Sequence, residues 1–141
     1  MSGNLEYFCG GSLISNKHVV TSANCIQGKK APRMRETSKT AVYVGRHSLD
    51  TWNESGFEKR GVRNFIIHPE WDPLDVKYDA DIAIIVMNAD VEYSKFIRPI
   101  CVWNFSEDDN RGKQGIFAGN YCLPGHKELF TYTFNVSRLG T

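Results

Sequence analysis

Acid–base, nucleophilic and metal chemistry in this chain of 141 residues rest on a short roster of side chains, chiefly four histidines, four cysteines and sixteen carboxylates. His18 precedes Val19-Val20, His47 ends a β-type run, His68 precedes Pro69, and His126 lies near the end of the chain. No two of them fall at helical or zinc-ligand spacing, so each reads as a surface or half-buried polar residue and no metal site is expected. The cysteines show no Cys-x-x-Cys pair, and their number alone leaves several pairings open. Cys9 and Cys25 flank Leu13-Ile14 and Val19-Val20, which read as the arms of a β-hairpin around the polar turn Ser15-Asn16-Lys17. Such a hairpin brings the two sulfurs within reach of one another, as a bridge or as two buried thiols. A bridge closing a loop of about 15 residues contributes on the order of 3 kcal/mol.

The elements that would position these groups are mostly short and of period two. Candidate strands are 11–14, 19–23, 40–45, 62–67, 82–87 and 115–119, with β-branched and aromatic residues set between Gly, Asn, Asp, Ser and Pro clusters. Six such strands suggest a barrel or sandwich. A further alternation puts Phe130, Tyr132, Phe134 and Val136 on one face of an edge-like seventh strand. The basic stretch Lys29, Lys30, Arg33, Arg35 and Lys39 lacks an apolar period and reads as a solvated surface loop, with a docking loop or a nick site as alternatives. Residues 52–56 and 107–114 also read as loops.

Composition narrows the class. At 41% hydrophobic and 23% charged residues the chain is neither disordered nor of low complexity. A formal charge of +1 gives no general attraction for nucleic acid or an anionic membrane, so neither is expected as a partner. The longest apolar run, 82–87, is far below the roughly 18 residues of a membrane helix. Residues 1–8 lack the basic start and apolar stretch of a secretory signal, so a cytosolic protein or a chain whose true beginning is missing is expected.

Three segments in order carry a more specific signal. Cys9-Gly10-Gly11-Ser12-Leu13-Ile14 is followed by Val19-Val20-Thr21-Ser22-Ala23-Asn24-Cys25, and later by Tyr78-Asp79-Ala80-Asp81-Ile82-Ala83-Ile84-Ile85. Together they closely resemble the amino-terminal half of the chymotrypsin/trypsin-like serine peptidases, with the pattern C-G-G-S-L-I, V-[LV]-T-A-A-H-C and D-I-A-L-L. Tyr43 to Leu49, Ile66-Ile67-His68-Pro69 and Arg98-Pro99-Ile100-Cys101 are smaller echoes of the same family. The resemblance covers about residues 8–119 and then stops, with Asn120-Tyr121 where the family has Trp-Gly. It implies an all-β fold: a single six-stranded antiparallel Greek-key barrel, the first of the two in a trypsin-like double β-barrel. Residues 1–119 are expected to form that first barrel, truncated at its start, and 120–141 a divergent tail.

The resemblance also assigns chemistry. Peptide hydrolysis of this type needs a hydroxyl nucleophile, an imidazole that accepts and returns its proton, and a carboxylate that orients the imidazole. Asn24 occupies the general-base position, where its carboxamide cannot accept and release a proton near neutral pH. Asp81 matches the orienting carboxylate and, with no imidazole to orient, is expected to accept a hydrogen bond from the Asn24 amide. The nucleophile motif G-D-S-G-G occurs nowhere in the sequence. With only eight residues before Cys9, activation through a newly cut amino terminus is not expected either.

The implied function is a serine-endopeptidase-family domain that is itself inactive and acts by protein binding, through loops 28–39, 50–60 and 104–114. Its partner would be a protein or a protease-cascade component, and no cofactor is implied. The runner-up is a truncated fragment of an active trypsin-like endopeptidase; a small barrel that binds through Trp52, Trp71 or Trp103 is third. Cys101 falls where two-chain members of the family tether another segment, so it would bond another chain, pair with Cys122 or stay reduced. Sequons at Asn53, Asn104 and Asn135, with the cysteines and the family, fit an extracellular location. A first barrel without its companion should expose an apolar face and self-associate.

Overall fold

A computed structural model of the chain describes residues 6–29, 31–46, 55–102, 114–123 and 126–135. His47, Asn53, Trp52, Trp103 and Asn104 lie outside them. The chain divides into two compact units, Met1–Cys101 and Val102–Thr141.

In the first unit, β1 (Ser12–Leu13) and β2 (His18–Thr21) form the expected hairpin, with Leu13 opposite Val19. A single helical turn, α1 (Ala23–Ile26), follows, and then a ribbon of β3 (Gln27–Gly28) and β4 (Ala31–Met34). A 3-10 turn at Thr37–Lys39 leads into β5 (Ala41–Val44), β6 (Glu58–Ile67) and β7 (Ala83–Met87). Five of these strands make one antiparallel sheet in the order β1-β2-β7-β6-β5, curled into a half-barrel.

Strand β7 lies at the centre of that sheet, paired to β2 through Val19 and Ile85 and to β6 through Phe65 and Ile85. Its residues alternate in burial: Ala83, Ile85 and Met87 are buried while Ile84 and Val86 are half-buried. Successive side chains of a strand leave by opposite faces, so the buried set defines the core side of the sheet. Leu13, Val19, Ala23, Ile26, Val44, Phe65, Trp71, Val91 and Ile97 complete the core around it. Met87 and Ile26 are wholly buried, each worth about 1.5–3 kcal/mol by removal from water. Gly11 in the first motif has a steric reason: a Cβ there would stand 2.9 Å from the Val20 carbonyl oxygen and 2.7 Å from a Val19 methyl.

Some elements depart from the sequence reading. The strand expected over 19–23 ends at Thr21, because Ala23 begins α1. The basic stretch is not a simple loop: Arg35 donates its backbone N–H to the Ile26 carbonyl and its Nε to the Cys25 carbonyl, which holds β4 against the segment after β2. Its guanidinium also lies 3.9 Å from the Phe8 ring. Strand β6 starts four residues earlier than expected, at Glu58, where charged residues hide the period-two pattern.

In the second unit, β8 (Gln114–Leu123) contains the strand expected at 115–119 and pairs antiparallel with β9 (His126–Asn135), the seventh strand of the sequence reading. The strand β8 runs through Gly119 and Asn120 without a break. Cys122 lies in β8 and Asn135 ends β9.

Candidate functional site

Asn24 and Asp81, far apart in sequence, are brought together where α1 meets the start of β7. Asn24 is held by α1, which begins right after β2; Asp81 is held by a tight turn just before β7. In that turn the Asp81 N–H donates to the Tyr78 carbonyl at 3.4 Å and the Ile82 N–H to the Ala80 carbonyl at 2.7 Å. Ala80 takes the left-handed conformation, with φ 56°. A non-glycine residue there carries a steric cost of roughly 1–2 kcal/mol.

The half-buried Asp81 carboxylate accepts three contacts from α1 and its cap. Ser22 Oγ donates, 2.6 Å from Oδ1 and 2.7 Å from Oδ2, and the Asn24 backbone N–H donates to Oδ1 at 2.7 Å. Ser22 is the N-cap of α1 and makes no cap bond of its own. An N-cap hydroxyl ordinarily accepts an N–H from the first turn; here Ser22 spends its proton on Asp81, and Asp81 takes that N–H instead. The expected bond from Asn24 to Asp81 therefore comes from the Asn24 peptide rather than its carboxamide. The carboxamide Oδ1 accepts the Lys29 backbone N–H at 3.1 Å, tying α1 to the β3–β4 connection.

Sequence reasoning did not single out Ser22, Lys29 or Tyr78 as site residues. Ser22 was visible as a departure from the family's Ala at that position. Lys29 sends its ammonium to the carbonyls of Asp75, at 2.6 Å, and Lys77, and over the rings of Tyr78 and Trp71. A cleft of ≈ 500 Å3 is lined by Asn24, Ile26, Gly28, Lys29, Arg33, Arg35 and Tyr78. Three of its lining residues, Lys29, Arg33 and Arg35, are cationic.

Cys9 and Cys25 are joined in a disulfide, the first of the two alternatives, which fastens the segment before β1 to α1. Cys101 is an exposed free thiol. His18 Nδ1 lies 2.8 Å from Ser15 Oγ at the β1–β2 turn, and His68 Nδ1 accepts the Glu70 N–H at 3.2 Å. Among the described residues no helix is long and apolar enough to cross a membrane.

Comparison with known proteins decides the family. The trypsin family model matches residues 1–133. The chain belongs to the trypsin family. It is 37% identical over 118 residues to serine protease gd of Drosophila melanogaster, across 82% of the chain and 22% of that protein. It is 31% identical to coagulation factor IX of Cavia porcellus, across 74% of the chain and 33% of that protein. It is also 31% identical to inactive serine protease scarface of Drosophila melanogaster, across 85% of the chain and 17% of that protein. The chain thus spans a third or less of the length of these curated relatives. Trypsin-family membership accounts for the half-barrel sheet and the disulfide.

Proposed function

We propose that this trypsin-family domain is a serine protease homologue without hydrolytic activity, and that it works by binding protein. The observation that carries the reading is Asn24 at the position of the general base. Catalysis by a serine hydroxyl requires a neighbouring group that takes its proton and delivers it to the leaving amine. A carboxamide does neither. The surroundings of Asn24 support the same reading. Its Oδ1 is engaged by the Lys29 backbone N–H, and Asp81, matched to the carboxylate that would orient an imidazole, is engaged by Ser22 and the Asn24 peptide. Both residues serve the local architecture of α1. Similarity to a relative whose name calls it inactive agrees with this reading.

The binding role falls to the segments 28–39, 50–60 and 104–114, with a protein of a protease cascade as partner and Cys101 as the thiol for a bond to a second chain. The Cys9–Cys25 bridge fits an extracellular, oxidising setting.

The test is hydrolysis of a fluorogenic peptide ester by the longest transcript-encoded protein that contains this domain. No turnover above that of buffer is expected. Turnover abolished by a serine-directed acylating reagent would overturn the reading and establish an active endopeptidase.

A further inference from the structure

Lys29 is bound by its own chain in a way that a side chain serving only solubility would not be. Its ammonium donates to the Asp75 carbonyl at 2.6 Å and to the Lys77 carbonyl, and lies 3.9 Å from the Tyr78 ring centroid and 5.5 Å from that of Trp71. The two rings are 6.4 Å apart and inclined at 36°. A lysine ammonium has three N–H donors in a compact head. Two go to carbonyls and the head rests against a ring face, so the group suits an ammonium better than a planar guanidinium. At its other end the same residue gives its backbone N–H to Asn24.

We propose that Tyr78, Trp71 and the carbonyls of Asp75 and Lys77 form an ammonium receptor in which Lys29 is an internal, exchangeable occupant, and that a lysine of a protein partner docks beside Asn24 by displacing it. The proposal rests on the protein-binding reading of the domain. Exchange is open physically: Tyr78 is 62% exposed, so an external cation can reach its ring. Cation–π contacts at exposed sites are individually weak. The segment carrying the carbonyls is lightly packed, with Leu74 and Val76 78% and 92% exposed. It is shaped largely by its own turns, in which Asp72 and Asp75 accept the N–H groups of Leu74 and Lys77. Tethered to the same chain, Lys29 is present at an effective concentration of order millimolar or above, which excludes free amines but yields to a lysine delivered with further contacts.

The test replaces Lys29 with Met, of similar length and no charge, and titrates the chain with n-butylammonium chloride against n-butanol. Binding is read on the indole N–H signal of Trp71 in a 15N-correlated NMR spectrum, assigned by its loss in Trp71→Phe. That N–H is buried and has no acceptor among the described residues, so its signal responds to changes in the cage. A saturable shift is expected in Lys29→Met, at least about tenfold weaker in the parent chain, and absent from Lys29→Met/Tyr78→Leu. Equal responses in parent and variant, an equal response to butanol, or a flat titration of a folded variant would each overturn the receptor. If Lys29→Met does not fold, Lys29→Gln is judged by the same outcomes. The titration needs neither partner nor turnover, so a flat result removes the receptor alone, while peptidase activity removes the protein-binding reading and leaves the receptor standing.

Discussion

Asp81 Oδ1 accepts the backbone N–H of Asn24 at 2.7 Å, so the carboxylate is bound to the peptide of Asn24 and not to its side chain. Any residue but proline at position 24 retains that N–H, so the contact does not depend on the side chain otherwise. Asp81 therefore acts on α1 through that peptide.

Replacing Asp81 by Ala removes the acceptor of both Ser22 Oγ and the Asn24 N–H. Hydrogen bonds to a charged group contribute about 1.5–3 kcal/mol, and solvent at the half-buried site offsets part of the loss. Urea denaturation is expected to show Asp81→Ala less stable by about 2–3 kcal/mol. Asn24→Ala, which loses the acceptor of the Lys29 N–H, is expected to cost about 0.5–1.5 kcal/mol. Because both residues hold the same turn, α1, and Asp81 bonds the Asn24 peptide directly, the double variant is expected to depart from the sum by about 0.5 kcal/mol or more. Strict additivity would mean that the two contacts support α1 independently.

Ala80 holds φ at 56°, immediately before Asp81. Glycine removes the Cβ that makes this conformation unfavourable, a gain of roughly 1–2 kcal/mol. It also enlarges the freedom of the unfolded chain, a loss of about 0.4–1 kcal/mol. Ala80→Gly is thus expected to raise stability by up to about 1 kcal/mol and to leave the Asn24 amide resonance in place. A destabilised variant would show that the Ala80 methyl contributes packing that outweighs its strain.

Much of this arrangement was legible in the residues. The Leu13-Ile14 and Val19-Val20 pairs marked a hairpin and the apolar run 82–87 marked a strand, but that run is apolar throughout, so the inward set Ala83, Ile85 and Met87 emerges only from the pairing of β7 with β2 and β6. Strand β4 was not legible: Ala31–Met34 has no apolar alternation, and it is held by the bonds of Arg35 to Ile26 and Cys25, long-range contacts that leave no local pattern. Motif order brought Asn24 and Asp81 to notice. The donor at Ser22 and the cage around Lys29 depend on how the turn at Tyr78–Ile82 packs, which no spacing encodes.

The Cys9–Cys25 bridge joins residues 16 apart in sequence, and the loop it closes contains Gly11, where an added Cβ would stand 2.9 Å from the Val20 carbonyl oxygen. In the chain-entropy picture a loop of this length is worth about 3 kcal/mol. Cys9→Ser/Cys25→Ser is expected to lose about that much in urea denaturation under non-reducing conditions, and dithiothreitol to have the same effect on the parent chain. Gly11→Ala puts a methyl against backbone and should cost about 1–3 kcal/mol without altering disulfide formation, checked by thiol titration.

Tyr93, Phe96 and Ile100, which follow the core residue Val91, are each about half exposed, at 55%, 55% and 49%. Exposed apolar surface beyond a few hundred Å2 favours association. At micromolar concentration, with Cys101 and Cys122 replaced by Ser so that no bond to a second chain forms while the Cys9–Cys25 bridge is kept, the chain is expected to sediment as a species larger than a monomer. Adding Phe96→Lys/Ile100→Lys should shift it toward the monomer. A parent chain that is monodisperse as a monomer and binds no apolar dye would contradict the expectation.

Glu36 sits between two cations on the outer surface, with Lys39 Nζ at 2.9 Å from Oε2 and an Arg33 amine at 3.3 Å from Oε1. The hydrogen bond and charge of Lys39, aided by Arg33, hold its carboxyl below the ordinary glutamate value. A lowered value in the folded state means that the unfolded chain binds more protons in the interval beneath the ordinary value. Stability from this group is therefore complete above that value and is lost as the pH falls through the folded one. The group is solvent-exposed, so the effect is small and screened by salt. In a 13C-detected titration the Glu36 carboxyl is expected to have its midpoint below that of an unpaired glutamate. Lys39→Met should move the midpoint upward by more than Arg33→Met does, because Lys39 supplies both the bond and the larger charge effect. No shift from Lys39→Met would show that the ion pair seen at Glu36 does not persist in solution, and equal shifts from the two variants would show that Arg33 acts as strongly as Lys39.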